Sequence, residues 1–300
     1  MAWRGQHTFA GAMINDNQTN MVYIARGLSA YEPVCMNLMS ALDSNGIECE
    51  FLPRTPSPKH IWARDYMPLQ LDKGRFLSYR YRPDYLRGYE GYIPQYRRIW
   101  TDLGLECIQT DIVLDGGNVV KCGSKVIMTD KIFRENTSWG RNELISELER
   151  LLRAEIVLIP WDRYEMFGHA DGMVRYIVGD SVLLNNYVDF DPYLRKRLLK
   201  ALRPHFSIAE LHYGTAQNKR FSWAYINFLQ TENCIFIPGL GLPEDSLAAE
   251  QIQGFFPDSK VIQIRDCQSL VLQGGALNCA TWNILSDLNN NHYKEIQLRK

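Results

Sequence analysis

The 300-residue sequence lacks the features that mark several large classes of protein. Its formal net charge is −1, so no excess of positive charge favours binding to nucleic acid or to an anionic membrane. No apolar run approaches the roughly 18–20 residues of a membrane-spanning helix, and the N-terminus lacks the apolar segment of a signal peptide. The chain also has no glycine- or serine-rich linker, so we predict one domain over residues 1–300.

Cysteine and histidine are sparse, and their spacings do not fit a disulfide or zinc protein. Seven cysteines without a CxxC pair exclude a fully paired disulfide framework and favour a reducing cytoplasm. The six histidines form no HxH or HxxxH pattern, so we predict no metal site. Six cysteines are interpreted as small packing residues. They are Cys35, Cys49, Cys107, Cys122, Cys234 and Cys267.

A repeated unit runs through the chain: a helical stretch followed by a short apolar strand. Five such strands begin at Ile47, Leu105, Ala154, Ser207 and Lys260, at intervals of 58, 49, 53 and 53 residues. Helical periodicity in residues 141–152 and the start signal Asp191–Pro192 place helices before two of them. Near-constant spacing of this kind indicates an internally repeated architecture.

Hairpins complete the repeated unit. Gly179–Asp180 and Glu232–Asn233 predict turns between short strands that precede the helices. The unit is therefore strand–strand–helix–strand, and about five copies would surround a central axis as one α/β domain. A doubly wound open sheet is the alternative, but the hairpins argue against an all-parallel sheet.

Polar residues follow each repeat strand, where a ring of such units would bring them to one end of its axis. The motifs are WARDYMP with Trp62, Arg64 and Asp65, DGGN with Asp115, GHADG with His169 and Asp171, SWAYINF with Asn227, and GGALNCATW with Cys279. His169 and Asp171 are two residues apart, which in an extended strand directs both side chains to one face. The sequence therefore predicts one pocket with a thiol, an imidazole and several carboxylates.

Each motif also has an ordinary structural interpretation. A lone cysteine is usually a small buried residue, a histidine at a strand end is usually structural, Arg64–Asp65 fits a salt bridge, and DGG fits a turn. The shared position within the repeat favours the functional interpretation.

Such a pocket has the chemistry needed to break a C–N bond of a guanidinium group. Two separated carboxylates match a planar cation with several N–H donors, and a thiolate is a strong nucleophile. One histidine can protonate the departing nitrogen and then activate water. The sequence thus suits hydrolysis through a covalent thiouronium intermediate.

The five motifs, in this order from about Met21 to Ile284, resemble those of the agmatine deiminase and bacterial peptidylarginine deiminase family. The resemblance implies a pentein fold, a five-bladed ring of ββαβ units that forms a single catalytic domain. It also implies a cofactor-independent hydrolase acting on a small guanidino substrate, agmatine above all, with a role in putrescine biosynthesis. It implies neither a nucleic-acid nor a membrane partner, and the sequence leaves open whether the chain forms a homodimer.

The same resemblance implies roles for individual residues. Cys279 resembles the nucleophile, His169 the general acid and base, and Asp115 the group that orients the histidine. Asp65 and Asp171 resemble the carboxylates that hold the guanidinium, whereas Trp62 and Asn227 resemble pocket-lining residues. The chain departs from the family at three of these motifs. The family usually has Glu in place of Asp115 and His in place of Asn278, and it often has Gly-Pro in place of Met67-Pro68.

Substrate and reaction type stay open at the level of sequence. Arg80 and Arg82 lie in the arginine- and tyrosine-rich segment 79–100, which we interpret as a packed surface loop or a lid. If both point inward they would hold a carboxylate and favour arginine or peptidyl-arginine; if they point outward, agmatine is favoured. An amidinotransferase and a non-catalytic pentein binding protein are the remaining alternatives.

Overall fold

The computed structural model describes residues 13–163, 165, 167–214, 221 and 223–286. These residues form fifteen strands. In chain order they are β1 (Met21–Ala25), β2 (Glu48–Leu52), β3 (Leu69–Gln70), β4 (Phe76–Arg80), β5 (Cys107–Val113), β6 (Val120–Cys122), β7 (Lys125–Thr129), β8 (Glu155–Ile159), β9 (Val174–Val178), β10 (Ser181–Leu184), β11 (Ser207–Glu210), β12 (Leu229–Gln230), β13 (Cys234–Pro238), β14 (Lys260–Ile264) and β15 (Thr281–Ile284).

The strands form five three-stranded sheets that share one plan. Their orders are β15-β1-β2, β3-β4-β5, β6-β7-β8, β9-β10-β11 and β12-β13-β14. In each sheet the central strand pairs antiparallel with the first strand and parallel with the third. The antiparallel strand of the first sheet comes from the C-terminal part of the chain, with Met21 opposite Ile284. This pairing joins the beginning and the end of the described chain.

Ten α-helices lie among the described residues. They are α1 (Glu32–Asp43), α2 (Ala63–Tyr66), α3 (Tyr96–Asp102), α4 (Ile132–Glu135), α5 (Arg141–Leu152), α6 (Tyr187–Phe190), α7 (Pro192–Leu202), α8 (Glu244–Phe255), α9 (Gln268–Val271) and α10 (Leu277–Ala280). The longer helices α1, α3, α5, α7 and α8 each connect the central strand of a sheet to its parallel neighbour. The predicted unit of two strands, a helix and a strand is therefore confirmed in all five sheets.

Local signals explain where the helices begin. The side chain of Asp191 accepts a hydrogen bond of 2.9 Å from the backbone N–H of Leu194, and Pro192 occupies the first turn of α7. Helix α5 begins at Arg141 and buries Leu144 and Leu148 on one face. Both helix predictions are confirmed, as are the hairpin turns at 179–180 and 232–233.

The apolar faces of the connecting helices pack against the sheets. In the first unit, Leu38 and Leu42 of α1 lie in one buried cluster with Val22 and Ile24 of β1. All seven cysteines are free; Cys49 and Cys107 are half-buried rather than fully buried, but each packs against a hydrophobic cluster. In the part of the chain that the structure describes, no helix is both long enough and apolar enough to cross a bilayer.

Candidate active site

Four of the five polar motifs lie on short helical turns between the third strand of one unit and the first strand of the next, and the motif with Asn227 lies in a non-helical turn at the equivalent place. Helix α2 carries Asp65, and a 3₁₀ turn at 116–118 follows Asp115. A second 3₁₀ turn at 170–172 follows His169, and α10 carries Cys279. Backbone N–H and side-chain groups of one turn bond to the next, so the five motifs meet at one end of the sheets, as the repeat predicts.

His169 lies between two carboxylates. Its Nε2 is 2.8 Å from Oδ2 of Asp115, and its Nδ1 is 3.6 Å from Oδ1 of Asp65. Asp115 is also 3.6 Å from the ammonium group of Lys131, which contacts Glu135 at 3.0 Å. All five side chains are less than a tenth exposed. The imidazole is therefore hydrogen-bonded at Nε2 and faces a carboxylate at Nδ1, and its Asp115 partner has a buried counter-charge.

Cys279 lies beside the second carboxylate predicted to hold the guanidinium. Its sulfur is 3.6 Å from Oδ2 of Asp171, and the same oxygen accepts a hydrogen bond of 2.6 Å from Nδ2 of Asn278. Oδ1 of Asn227 accepts from the backbone N–H groups of Ala276 and Cys279, both at 3.3 Å. Asn227 thus fixes the turn that carries the thiol, and Asn278 fixes the carboxylate next to it.

Gly117 is the point around which the site residues meet. A Cβ placed on this residue would lie 2.7 Å from both Oδ1 of Asp65 and Nδ1 of His169, and 3.3 Å from Oδ2 of Asp171. Its backbone N–H donates to Oδ1 of Asp65 at 3.1 Å. The DGGN motif is therefore more than a turn: a residue without a side chain is required for three functional groups to approach one another.

Burial and neighbouring charges shift the pKa values of the site. Burial raises the pKa of Asp65 to about 7 even though His169 opposes this shift. Burial would lower the pKa of His169, but the carboxylates of Asp65 and Asp115 outweigh it and raise that pKa to about 10. Burial, together with Asp171 and Asp65, raises the pKa of the Cys279 thiol well above its usual range. Before a substrate binds, the site at neutral pH thus holds an imidazolium and a neutral thiol.

The prediction that His169 and Asp171 lie on one face of a strand is wrong. The two residues do not alternate along a strand, because residues 170–172 form a 3₁₀ turn and β9 begins only at Val174. The turn, together with the absence of a side chain on Gly117, brings the imidazole and the carboxylate to one side. Arg64 likewise bonds to Asn278 and Asn283 rather than to Asp65.

Two cavities open onto Cys279 and His169. The first, which we call the acidic cavity, has a volume of about 280 Å³. Asp162, Glu165, Asp171 and Asp191 supply its carboxyl groups, and Asp191 also caps α7. Burial raises the pKa of Glu165, which also accepts a hydrogen bond of 2.8 Å from the N–H of Gly168. Because these carboxyl groups are crowded and buried, a bound cation would be favoured there.

The second, which we call the aromatic cavity, has a volume of about 200 Å³. It is lined mainly by rings, from Trp62, Tyr66, Tyr81, Tyr85 and Tyr92, with Asp65 at its inner end. Three of these tyrosines come from segment 79–100, so the predicted packed loop borders the site. The ring of Phe167 lines both cavities and packs against Tyr85, with ring centroids 4.9 Å apart.

The structure does not bring every predicted residue to the site. Trp62 lines the aromatic cavity and Asn227 the acidic one. Arg80 and Arg82 are exposed, and neither lines either cavity. They also do not share a strand face, because β4 ends at Arg80.

Several residues of the site were missed from the sequence. Lys131 directly precedes the short helix α4 and Glu135 ends it, outside the five motifs. Glu165 and Phe167 lie just before GHADG without a periodic pattern. Asn278 was noted only as a departure from the family. No sequence signal would have identified Lys131, because its contact with Asp115 is made between separate turns.

No group of three or more His, Cys, Asp or Glu residues in the described ranges is arranged to hold a metal ion. The expectation that activity survives a chelator such as EDTA stays a prediction.

The chain is similar in sequence to known proteins. The family described as Porphyromonas-type peptidyl-arginine deiminase matches residues 1–284. The agmatine deiminase of Pseudomonas aeruginosa (strain LESB58) is 25% identical over 321 residues, which cover 88% of this chain and 86% of that protein.

Solved structures share the fold at low sequence identity. The agmatine deiminase of Enterococcus faecalis has a TM-score of 0.70 at 16% identity, covering 92% of this chain and 96% of that one. An amidinotransferase from Microseira wollei has a TM-score of 0.62 at 12% identity, covering 92% of this chain and 97% of that one. At these identities the similarity concerns the fold, a mixed α/β architecture of small sheets.

Proposed function

Because the chain belongs to the Porphyromonas-type peptidyl-arginine deiminase family, we propose that it hydrolyses a guanidinium C–N bond of a small substrate to a ureido product and ammonia. One observation carries the proposal: Cys279, His169, Asp65 and Asp171 meet at the junction of two cavities. Two carboxylates can bind a guanidinium, and a thiol with an imidazole can cleave one of its C–N bonds.

Binding relies on Asp65 and Asp171. Both are buried, and carboxylates match the N–H donors of a guanidinium in pairs. Among the described residues, Oδ1 of Asn278 is a buried acceptor without a hydrogen-bond partner, beside Asp171.

The substrate itself activates the nucleophile. The pKa of the Cys279 thiol is raised by burial and by two carboxylates, so the free enzyme holds the thiol form. A cation bound between those carboxylates cancels their effect and lowers the thiol pKa. The thiol loses its proton to water as the cation binds. The thiolate then attacks the guanidinium carbon, a C–S bond forms, and the electron pair of the C=N bond moves to nitrogen.

His169 supplies protons in both halves of the reaction. As an imidazolium held by Asp115 and Asp65, it donates a proton to the departing nitrogen, which leaves as ammonia. The neutral imidazole then removes a proton from the water that attacks the thiouronium carbon. The C–S bond breaks, and the ureido product leaves with the thiol restored.

The acidic cavity favours a substrate with an amine on its tail, as in agmatine. Asp162 and Glu165 attract an ammonium group and repel the carboxylate of arginine. Arg80 and Arg82, which a carboxylate would need, are exposed and do not line the cavity. We therefore favour an agmatine-like substrate over arginine or peptidyl-arginine.

The decisive experiment is a panel of agmatine, arginine and a peptide ending in arginine, assayed for ammonia and ureido product with and without an added amine. Agmatine should have the highest kcat/KM, and the products should not change when an amine is added. A preference for arginine would contradict the tail assignment, and transfer to the amine would indicate an amidinotransferase.

A variant and a trapping experiment test the nucleophile. Cys279→Ala should abolish turnover and keep the melting temperature, and mass spectrometry of a quenched wild-type reaction should locate an adduct on Cys279. Normal turnover by Cys279→Ala would rule out covalent catalysis.

We also propose that the five units form a closed ring. The shared plan of the five sheets and the pairing of β1 with β15 support a five-bladed pentein propeller that forms one catalytic domain. The predicted role in putrescine biosynthesis and the cytoplasmic location stay predictions.

A further inference from the structure

The nucleophile lies at the junction of two cavities of different chemistry, whereas a guanidine with a single tail fills only one. We propose that the aromatic cavity binds an apolar substituent on the departing nitrogen. The preferred substrate is then a guanidine with substituents on two nitrogens, and its leaving group is a primary amine in place of the ammonia that agmatine releases. The inference rests on the proposed hydrolysis at Cys279.

The positions of the two carboxylates support this arrangement. Asp171 lines only the acidic cavity and Asp65 only the aromatic cavity, whereas Cys279 and His169 line both. A guanidinium held by both carboxylates directs one nitrogen toward each cavity. The nitrogen on the Asp65 side can therefore carry a substituent into existing space, next to the imidazole that protonates it.

The lining of the aromatic cavity indicates the kind of substituent. Trp62, Tyr81, Tyr85 and Leu86 supply aromatic rings and an aliphatic group, and Gln273 is the one uncharged amide of the described lining. The hydroxyl of Tyr66 donates to the carbonyl of His60 at 2.8 Å, so its polar end is already bonded. These groups favour a neutral alkyl or aryl substituent over a polar one.

The charged residues that line the aromatic cavity argue against a cationic substituent there. Lys59 is exposed at the rim, and its ammonium lies 4.9 Å from the centroid of the Tyr92 ring. Asp65 is the one acidic residue among the described residues of this lining. Because Asp65 already pairs with the guanidinium of the substrate, it cannot also pair with a cationic substituent. The volume of about 200 Å³ also exceeds the roughly 30 Å³ that one water or one ammonia occupies.

The reaction balances without any further reactant. The thiolate of Cys279 forms a C–S bond, and the C–N bond to the substituted nitrogen breaks. That nitrogen takes a proton from His169 and leaves as an amine, which in solution takes up the proton that the Cys279 thiol released when the substrate bound. Water then adds to the thiouronium carbon, the C–S bond breaks, and the tail-bearing ureido product is released together with an alkylammonium ion.

The test compares agmatine with an agmatine that carries a benzyl group on a terminal guanidine nitrogen. We expect the benzyl compound to have the higher kcat/KM and to release benzylamine and the same ureido product as agmatine. Turnover of agmatine without turnover of the benzyl compound would overturn the inference and leave the proposed function intact. Release of ammonia with the benzyl group kept on the ureido product would also overturn it, and no turnover of either compound would reject both.

A pair of leucine variants separates the two cavities. Leu86→Trp fills the aromatic cavity, and Leu272→Trp makes the same change at the acidic cavity. Leu86→Trp should lower the ratio of kcat/KM for the benzyl compound to that for agmatine by roughly tenfold or more. Leu272→Trp should lower both values by the same factor, because both compounds carry the same tail. If the ratio of kcat/KM for the benzyl compound to kcat/KM for agmatine were the same in the two variants, the inference would be wrong.

A change at the rim gives an independent readout that does not depend on repacking. Lys59→Glu alters only an exposed side chain. It should shift the preference from a benzyl substituent toward an aminomethyl-benzyl substituent, measured as the ratio of their kcat/KM values. An unchanged ratio would mean that this substituent does not occupy the aromatic cavity.

Discussion

Gly117→Ala offers the sharpest test of how the site is assembled. The added methyl carbon would lie 2.7 Å from both Oδ1 of Asp65 and Nδ1 of His169, where van der Waals contact needs more than 3.4 Å. Each group must therefore move away from the added methyl carbon by roughly 0.7 Å or more. A displacement of about 1 Å costs on the order of 100-fold in rate, so we expect kcat/KM to fall by about that factor.

The neighbouring glycine distinguishes loss of activity from loss of the fold. A Cβ on Gly116 would lie 1.9 Å from the backbone oxygen of Arg64, which cannot rotate away as a side chain can. Gly116→Ala should therefore lower the melting temperature more than Gly117→Ala does. Gly117→Ala should cost only about 1–3 kcal/mol of stability, as overpacking usually does.

The assay is ammonia release from agmatine, with the melting temperature measured on the same samples. Gly254→Ala is the matched control, because this glycine lies in α8 and nothing lies within 4 Å of the position that its added methyl group would take. That variant should become slightly more stable, since alanine favours a helix more than glycine does. If Gly117→Ala keeps kcat/KM within about threefold of the wild type, the three side chains do not need their observed separation.

The other predictions concern charge. Asp171→Asn keeps an oxygen for Nδ2 of Asn278 but loses a negative charge, so kcat/KM should fall by roughly 30- to 1000-fold, or about 2–4 kcal/mol; a smaller loss would argue against a gripping role. The pH profile of kcat/KM should rise through about 7, as Asp65 ionises and can bind a cation, and fall through about 10, as His169 loses the proton it donates; a flat profile over this interval would contradict the assignment. Lys131→Met should destabilise the fold by about 3–5 kcal/mol, because it leaves buried carboxylates without their cation. It should also move the alkaline limb of the pH profile to higher pH, because the lysine lowers the pKa of His169. Lys131→Arg keeps the charge, so its stability and its pH profile should stay closer to those of the wild type.

The repeat, the helices and the hairpins could be predicted because they depend on neighbours in the chain. Asp191 caps α7 through an N–H three residues away, and the leucines of α5 recur with the helical period. Since the same unit recurs five times, its polar residues recur at equivalent positions. The sequence by itself therefore determined which motifs come together, including Asp65, His169 and Cys279.

The tertiary structure decided how these motifs meet. Lys131 beside Asp115, and Asn278 on Asp171, are contacts between residues in different turns, and no periodicity specifies them. The strand rule failed for His169 because a 3₁₀ turn replaces the expected strand. A pattern gives the direction of a side chain only relative to its own strand or helix. The distances between separate turns depend on how the five sheets and their helices pack, down to the missing side chain of Gly117 that lets three polar groups share one space.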